Sequence, residues 1–231
     1  MAGGKVKGLF LDLDGTLALS GDLVRRTYLD FMEGHGRQGC QAEYESLLAR
    51  PIHQWVAVLK EKHKLIPAET ALYQEFEGLL EQRYPGQATL APGAKELLTY
   101  AQVRGVFTVL VTSAARALVE GFLRRHALID LMGAVVTAED VVRGKPDPEP
   151  YLKALDLAGL NPAQALAVED SSNGARSAMT AGLKTYLVVH EDEGPPPILP
   201  GLAGVICRLG ELMPLMGDLE DALTGLPHPR S

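Results

Sequence analysis

Short apolar runs that alternate with helical segments constrain the fold of this chain more than any other feature of its sequence. Five such runs are predicted to be buried strands: residues 6–11, 106–111, 134–136, 165–168 and 185–189. Between them, apolar residues recur at helical spacing in four segments: residues 94–103, 117–125, 150–158 and 174–181. Strands that alternate with helices predict an α/β fold, a doubly wound parallel sheet covered on both faces.

Residues 17–90 depart from this alternation, because they contain no strand-like run. Their apolar residues instead recur at helical intervals, as Val24, Tyr28 and Phe31 do. A chain of 231 residues is long enough for a core domain that carries a smaller inserted one. We therefore predict an all-helical domain over residues 17–90, inserted between core segments 1–16 and 91–231.

The composition excludes several classes of function. Hydrophobic residues make up 46% of the chain and charged residues 22%, as in a soluble globular protein. The net charge of −7 and the lack of a Lys/Arg stripe argue against nucleic-acid binding. No stretch is long enough to span a membrane, and the N-terminal apolar run is too short for a signal peptide, so a cytoplasmic location is expected. The oligomeric state stays open, and a monomer is compatible with the sequence.

Two cysteines, Cys40 and Cys207, lie far apart in the chain and have no partners at metal-binding spacing. They support neither a disulfide framework nor a zinc cluster, so we interpret both as ordinary apolar fillers.

Polar residues follow four of the predicted strands. They are Asp12 and Asp14 after the first strand, Thr112 and Ser113 after the second, Lys145 in the loop after the third, and Glu169 and Asp170 after the fourth. Doubly wound sheets bind ligands at the carboxyl ends of their strands. The sequence therefore predicts that these side chains share one site.

The residue types at these strand ends suit phosphoryl transfer. Several carboxylates close together require a cation, and oxygen ligands without nearby His or Cys favour Mg²⁺. Asp12 can attack phosphorus as a carboxylate, and Asp14 can protonate the leaving oxygen. Thr112 and Lys145 can hold the charged phosphoryl oxygens. We place Ser113 beside them as a substrate-binding residue.

Four motifs occur in the order of a known family: DLDGT at residues 12–16, the strand ending in Thr112 and Ser113, GKPDPEPY around Lys145, and VEDSSNG around Asp170. Together they resemble the haloacid dehalogenase superfamily, in the branch similar to β-phosphoglucomutase and small sugar-phosphate phosphatases. The helical insertion lies where this superfamily places its first type of cap.

This resemblance implies a role for each strand-end residue. Asp12 would be the nucleophile, Asp14 the acid and base, Thr112 a phosphate ligand and Lys145 its cationic partner. Mg²⁺ would be held by Asp12, the carbonyl of Asp14 and Asp170, with Glu169 either as a ligand or hydrogen-bonded around the metal.

Each candidate also has a purely structural interpretation. Asp12 and Asp14 could end a strand in a solvated turn, and Lys145 taken alone would be a surface lysine. The combined motifs favour the functional interpretation. For Ser171, Ser172 and Asn173 we favour capping of the following helix. We interpret His190 and Glu191 as solvated loop residues.

Within the insertion, Arg50, His53 and Trp55 lie between two predicted helices. Arg50 is the predicted substrate-binding residue, because a cap arginine could bind a distal anionic group. We assign Trp55 to the core of the insertion and His53 to its surface.

The predicted function is Mg²⁺-dependent hydrolysis of a small phosphomonoester, such as a sugar phosphate or related metabolite. A β-phosphoglucomutase-type phosphomutase is the main alternative, although mutases usually carry a histidine soon after the first motif, where this chain reads ALSGDLVRRTYLD. A dehalogenase would lack the acid at Asp14. A non-catalytic phosphometabolite-binding protein would be expected to have lost an essential acid or lysine, and here none is lost.

Overall fold

The protein divides into two compact units, and its structure, a computed structural model, describes residues 6–47, 52–190 and 198–216. One unit comprises Met1–Leu19 and Thr89–Ser231, and the other comprises Ser20–Ala88. These limits lie within three residues of the boundaries expected from the sequence.

The first unit is built on a six-stranded parallel sheet, which confirms the predicted α/β fold and contains one strand more than the five that the sequence predicts. Its strands are β1 (Gly8–Leu11), β4 (Phe107–Val111), β5 (Ala134–Val136), β6 (Ala165–Glu169), β7 (Lys184–Val188) and β8 (Gly204–Ile206). Their order across the sheet is β5-β4-β1-β6-β7-β8. All four residues of β1 are buried, because both faces of a central parallel strand are covered.

Four α-helices within the described residues cover this sheet: α5 (Ala94–Val103), α6 (Arg116–Arg125), α7 (Glu149–Ala158) and α8 (Ser172–Thr180). Phe10 of β1 packs in one core cluster with Tyr151 of α7 and Ala178 of α8. Successive side chains of a strand alternate between faces, so Leu9 and Leu11 are buried on the opposite side.

The sequence did not predict three short strands. β8 has only three residues, GVI, and it begins with a glycine, a residue type that is uncommon in strands. The other two are β2 (Ala18–Leu19) and β3 (Thr89–Leu90), which pair antiparallel. Two-residue strands are too short to give a periodic signal.

In the part of the second unit that the structure describes there are four helices: α1 (Gly21–Gly34), α2 (Gln41–Leu47), α3 (Ile52–His63) and α4 (Glu69–Gln87). Aromatic side chains form much of its core, where Trp55 contacts Tyr44 and Phe76 edge to face. Trp55 is only 3% exposed, which confirms its predicted place in the core of the insertion.

A buried carboxylate ties α1, α2 and α3 of this unit together. Glu43 on α2 accepts a hydrogen bond from the Tyr28 hydroxyl of α1. Its Oε1 atom lies 2.6 Å from Lys62 Nζ and 2.8 Å from His63 Nε2, both on α3. Burial alone would raise the pKa of Glu43, but the bonds from Lys62, Tyr28 and His63 together lower it from 4.5 to about 2.

Within the described residues, every helix is too short or too polar to cross a bilayer.

Candidate active site

Asp12 directly follows the first strand, β1, and its side chain is buried. Asp12 is 7% exposed, and its backbone N–H donates to the carbonyl of Val168 at 3.0 Å. The chain then turns through Gly15, which adopts φ +80. A Cβ atom on Gly15 would lie 2.0 Å from Asp170 Oδ2, so only glycine allows this close approach.

Lys145 joins two strand ends through a single ammonium group. Its Nζ atom lies 2.5 Å from Asp12 Oδ1 and 2.5 Å from Glu169 Oε1. It also donates to the carbonyl of Val111 at 2.8 Å. The Lys145 side chain is 7% exposed, so the alternative interpretation as a surface lysine is wrong.

The loop that carries Lys145 is fixed by hydrogen bonds on both sides of it. The Glu149 carboxylate accepts from the backbone N–H groups of Val142 and Arg143 at 2.7 and 3.1 Å. From α8, the Ser177 hydroxyl donates to the carbonyl of Asp147 at 2.5 Å. These bonds restrict the loop and so hold the Lys145 ammonium between the carboxylates of Asp12 and Glu169.

Three carboxylates converge at this edge of the sheet. Asp12, Glu169 and Asp170 each offer one oxygen, and these oxygens lie within 4.8 Å of one another. Together with Lys145 they leave two negative charges uncompensated when all are ionised. Asp14 lies two residues after Asp12, in the turn that contains Gly15, and its side chain is half-buried.

Burial and mutual repulsion perturb these acids. The pKa of Glu169 is raised by burial and by the charge of Asp12, although Lys145 opposes the shift. Burial, followed by the charges of Asp12 and Glu169, raises the pKa of Asp170 well above its usual range. Excess negative charge among buried oxygens is the condition that a bound hard cation relieves, so the residues present fit a metal ion such as Mg²⁺.

Sequence reasoning missed Tyr151, which supports this cluster from α7. Its hydroxyl donates to Glu169 Oε1 at 2.6 Å, and its ring centroid lies 5.4 Å from Lys145 Nζ. The side chain is fully buried. Tyr151 is the last residue of the motif GKPDPEPY, so the sequence could have pointed to it. An aromatic residue on a predicted helix is ordinarily interpreted as a core residue, which is why it was not a candidate.

The start of α8 packs closely against the Glu169 carboxylate, at Gly174 and Ser171. A Cβ atom on Gly174 would lie 1.9 Å from Glu169 Oε2. Ser171 is the N-cap of α8, and its hydroxyl accepts from the Gly174 N–H at 3.1 Å, which confirms the predicted capping role of this serine.

Thr112 and Ser113 lie beyond the end of β4. The Thr112 N–H donates to the carbonyl of Val136, and its Oγ1 accepts from the N–H of Ala114 at 3.0 Å. The hydroxyl proton of Thr112 is therefore the group that it can offer to a ligand. Ser113 is exposed.

Residues 9–188 match the family model described as haloacid dehalogenase-like hydrolase. The chain belongs to this family. The match spans more than half of the 231 residues and includes every strand-end motif from Asp12 to Asp170.

Among the relatives of this haloacid dehalogenase-like hydrolase are phosphatases that are named for their substrates. Hexitol phosphatase A of Escherichia coli is 33% identical over 80% of this chain and 83% of its own length. Validoxylamine A 7'-phosphate phosphatase of Streptomyces hygroscopicus subsp. limoneus is 32% identical over 77% of this chain and 83% of its own length.

Among solved structures, CbbY from Rhodobacter sphaeroides in complex with phosphate superposes with a TM-score of 0.78. The match covers 90% of this chain and 96% of that one. At 24% identity it shows that the fold is shared.

The structure thus brings Asp12, Lys145, Glu169 and Asp170 of the predicted site together. Arg50 lies outside the described residues, so its predicted contact with substrate stays a prediction.

The interpretation of His190 as a solvated loop residue is wrong. His190 is half-buried, and its Nε2 atom lies 2.6 Å from the carbonyl oxygen of Gly15. Glu191 lies outside the described residues.

Proposed function

We propose that this protein is a Mg²⁺-dependent phosphatase that hydrolyses a small phosphomonoester through a phosphoaspartate at Asp12. The observation that carries the proposal is the position of Lys145 Nζ, which lies 2.5 Å from both Asp12 and Glu169 beside Asp170. A nucleophilic carboxylate, a buried ammonium and a cation-binding group of acids are the components that phosphoryl transfer requires.

The names of the relatives support a phosphorylated carbohydrate or related metabolite as the substrate class. One of them acts on hexitol phosphates by name, and another on a 7'-phosphate of validoxylamine A. We propose a substrate of similar size and polarity here, and we expect the protein to act in the cytoplasm.

We assign the metal to the carboxylates of Asp12 and Asp170 and the carbonyl of Asp14. Glu169 either binds the ion directly or holds a ligand through a hydrogen bond. When bound, Mg²⁺ would neutralise charge on the phosphoryl oxygens and on the crowded carboxylates.

The reaction consists of two in-line displacements at phosphorus. In the first, a carboxylate oxygen of Asp12 forms a bond to phosphorus, the ester P–O bond breaks, and Asp14 gives its proton to the leaving oxygen. In the second, water attacks phosphorus while Asp14 takes one of its protons. The P–O bond to Asp12 breaks, inorganic phosphate leaves, and Asp12 returns to the carboxylate form.

Lys145, Thr112 and Ser113 hold the transferred phosphoryl group in this proposal. Lys145 supplies positive charge from a site with little access to water, where it acts more strongly than in bulk solvent. The Thr112 hydroxyl accepts from the N–H of Ala114 and donates its proton to a phosphoryl oxygen. We propose that the helical unit, Ser20–Ala88, serves as a cap that favours small substrates, with Arg50 as its anion-binding residue.

The test is phosphate release from a panel of sugar phosphates, phosphoglycolate, nucleotides and p-nitrophenyl phosphate, with Mg²⁺ and with EDTA. We expect turnover that requires Mg²⁺ and that falls by at least about 10³-fold in Asp12→Asn. Asp156→Asn, which removes an exposed acid from α7, is the charge-matched control and should keep full activity.

Two outcomes would contradict the proposal. Asp12→Asn with wild-type activity would exclude a phosphoaspartate at this residue. Conversion of glucose 1-phosphate to glucose 6-phosphate, with a trace of the bisphosphate and without phosphate release, would identify a phosphomutase instead.

A further inference from the structure

His190 contacts the backbone of the turn that carries Asp14. It follows β7 by two residues, and its Nε2 atom lies 2.6 Å from the carbonyl oxygen of Gly15. A carbonyl oxygen only accepts hydrogen bonds, so Nε2 must carry the proton in this contact. The bond joins residues 175 positions apart in the chain.

The turn over residues 13–18 is stabilised mainly by hydrogen bonds within itself. The N–H groups of Thr16, Leu17 and Ala18 all point to the carbonyl of Leu13, at 3.2, 2.9 and 2.8 Å. The N–H of Gly15 donates to the carbonyl of Ala18 at 2.8 Å. These bonds fix the shape of the turn, but they do not fix the turn relative to the neighbouring strands.

Side chains that follow two other strands contact the turn at Gly15. The Asp170 carboxylate approaches Gly15 so closely that a Cβ atom there would lie 2.0 Å from Oδ2. The His190 imidazole binds the carbonyl of the same residue. Gly15 is therefore contacted by one residue that follows β6 and by one that follows β7, and Asp14 is the residue immediately before it.

We propose that His190 is a positioning residue that fixes the acid–base group Asp14 through the Gly15 carbonyl. The inference rests on the proposed phosphatase function, in which Asp14 protonates the leaving oxygen. General acids act over hydrogen-bond distances, and a small displacement of the donor reduces proton transfer steeply. Loss of the His190 bond would leave the turn folded while Asp14 loses its orientation.

The leaving group distinguishes this role from a merely structural one. Glucose 6-phosphate releases an alkoxide, which is strongly basic and needs the proton from Asp14. p-Nitrophenyl phosphate releases a weakly basic phenolate, which leaves without much assistance. The parameter kcat/KM reports the steps up to formation of the phosphoenzyme, so it isolates proton donation from the later hydrolysis.

The experiment compares kcat/KM for these two substrates in wild type, His190→Ala and His190→Gln. Glutamine places an amide N–H near the position of Nε2 and so keeps the donor. We expect His190→Ala to lose about 10- to 100-fold with glucose 6-phosphate and less than about threefold with p-nitrophenyl phosphate. His190→Gln should recover most of the loss. His190→Leu replaces the alanine variant if the latter does not fold, as judged by its melting temperature.

Equal losses with both substrates, no loss with either, or no recovery in His190→Gln would overturn the positioning role. Failure of the proposed function gives a different result, because wild type would then hydrolyse neither substrate, or Asp12→Asn would hydrolyse both. In that case the role assigned to His190 falls with it.

Discussion

Among the described residues, two glutamates are buried, and their surroundings shift the pKa of the carboxyl group in opposite directions. Glu43 in the helical unit has a side chain that is 3% exposed, and Glu169 in the α/β unit is fully buried. Each accepts a hydrogen bond from a tyrosine and forms an ion pair with a lysine. The pKa of Glu43 is nevertheless lowered to about 2, whereas that of Glu169 is raised.

The cause is the balance of charge around each carboxylate. Around Glu43, burial raises the pKa but Lys62, Tyr28 and His63 all donate to the same group. Around Glu169, burial and the charge of Asp12 raise the pKa, and Lys145 is shared with Asp12. Three groups of the protein thus donate to Glu43, whereas the cluster at Glu169 keeps an excess of negative charge that a bound cation would offset. The first arrangement stabilises the fold, and we propose that the second is a binding site.

The largest effect on stability is expected from Glu43→Gln. A glutamine cannot accept charge-assisted bonds from Lys62 and His63, and its NH₂ group would face other donors. We expect the free energy of unfolding to fall by about 2 kcal/mol. Urea denaturation measures it, and a change below about 0.5 kcal/mol would show that the cluster contributes little.

Glu169→Gln should leave stability unchanged or raise it, and should weaken metal binding. Removing one of three crowded carboxylates relieves repulsion, and Lys145 keeps its bond to Asp12 at 2.5 Å. Without metal, we expect a melting temperature equal to or above that of wild type. With Mg²⁺, calorimetric titration should show affinity weaker by about 10-fold or more. A loss of stability as large as that of Glu43→Gln would mean that the two sites do not differ in kind.

Sequence patterns located the residues of the Glu169 site because its members follow strands. Asp12, Glu169 and Asp170 directly follow or end apolar runs, and Lys145 lies in a recognisable motif. The strand ends of a parallel sheet meet at one edge, so their proximity could be predicted without knowing which strands are neighbours.

The contacts of His190 and Glu43 could not be predicted in this way. His190 reaches Gly15 only because β7 lies two places from β1 in the sheet order, and the sequence does not specify that order. Glu43 is an acid on an amphipathic helix, which ordinarily faces solvent. Its burial depends on how α1, α2 and α3 pack, and periodicity does not determine that packing.

The charge balance at Glu43 also predicts a dependence of stability on pH. Because its folded pKa is about 2 and its ordinary value is 4.5, folding favours the ionised form. The stabilisation is complete above about pH 4.5 and is lost as the pH falls toward 2. The stability difference between wild type and Glu43→Gln should therefore shrink across this window. A difference that stays constant down to pH 2.5 would contradict the lowered pKa.

The smallest effect is expected from Lys62→Gln, which tests whether Glu43 depends on its exposed partner. Lys62 Nζ lies 2.6 Å from Glu43 Oε1, but the lysine side chain is 58% exposed, so solvent and salt screen the pair. Tyr28 and the less exposed His63 still donate to the carboxylate. The melting temperature should fall less than in Glu43→Gln, and the difference should shrink in about 0.5 M sodium chloride.

Lys64→Gln is the control for Lys62→Gln, since Lys64 is an exposed lysine of the same segment for which the described residues provide no ion pair. A loss in Lys62→Gln as large as that in Glu43→Gln would place the stabilising charge at the surface. The difference between Glu43 and Glu169 would then come from the solvent exposure of their lysine partners. The exposed Lys62 pairs with one carboxylate, whereas the buried Lys145 is shared between two.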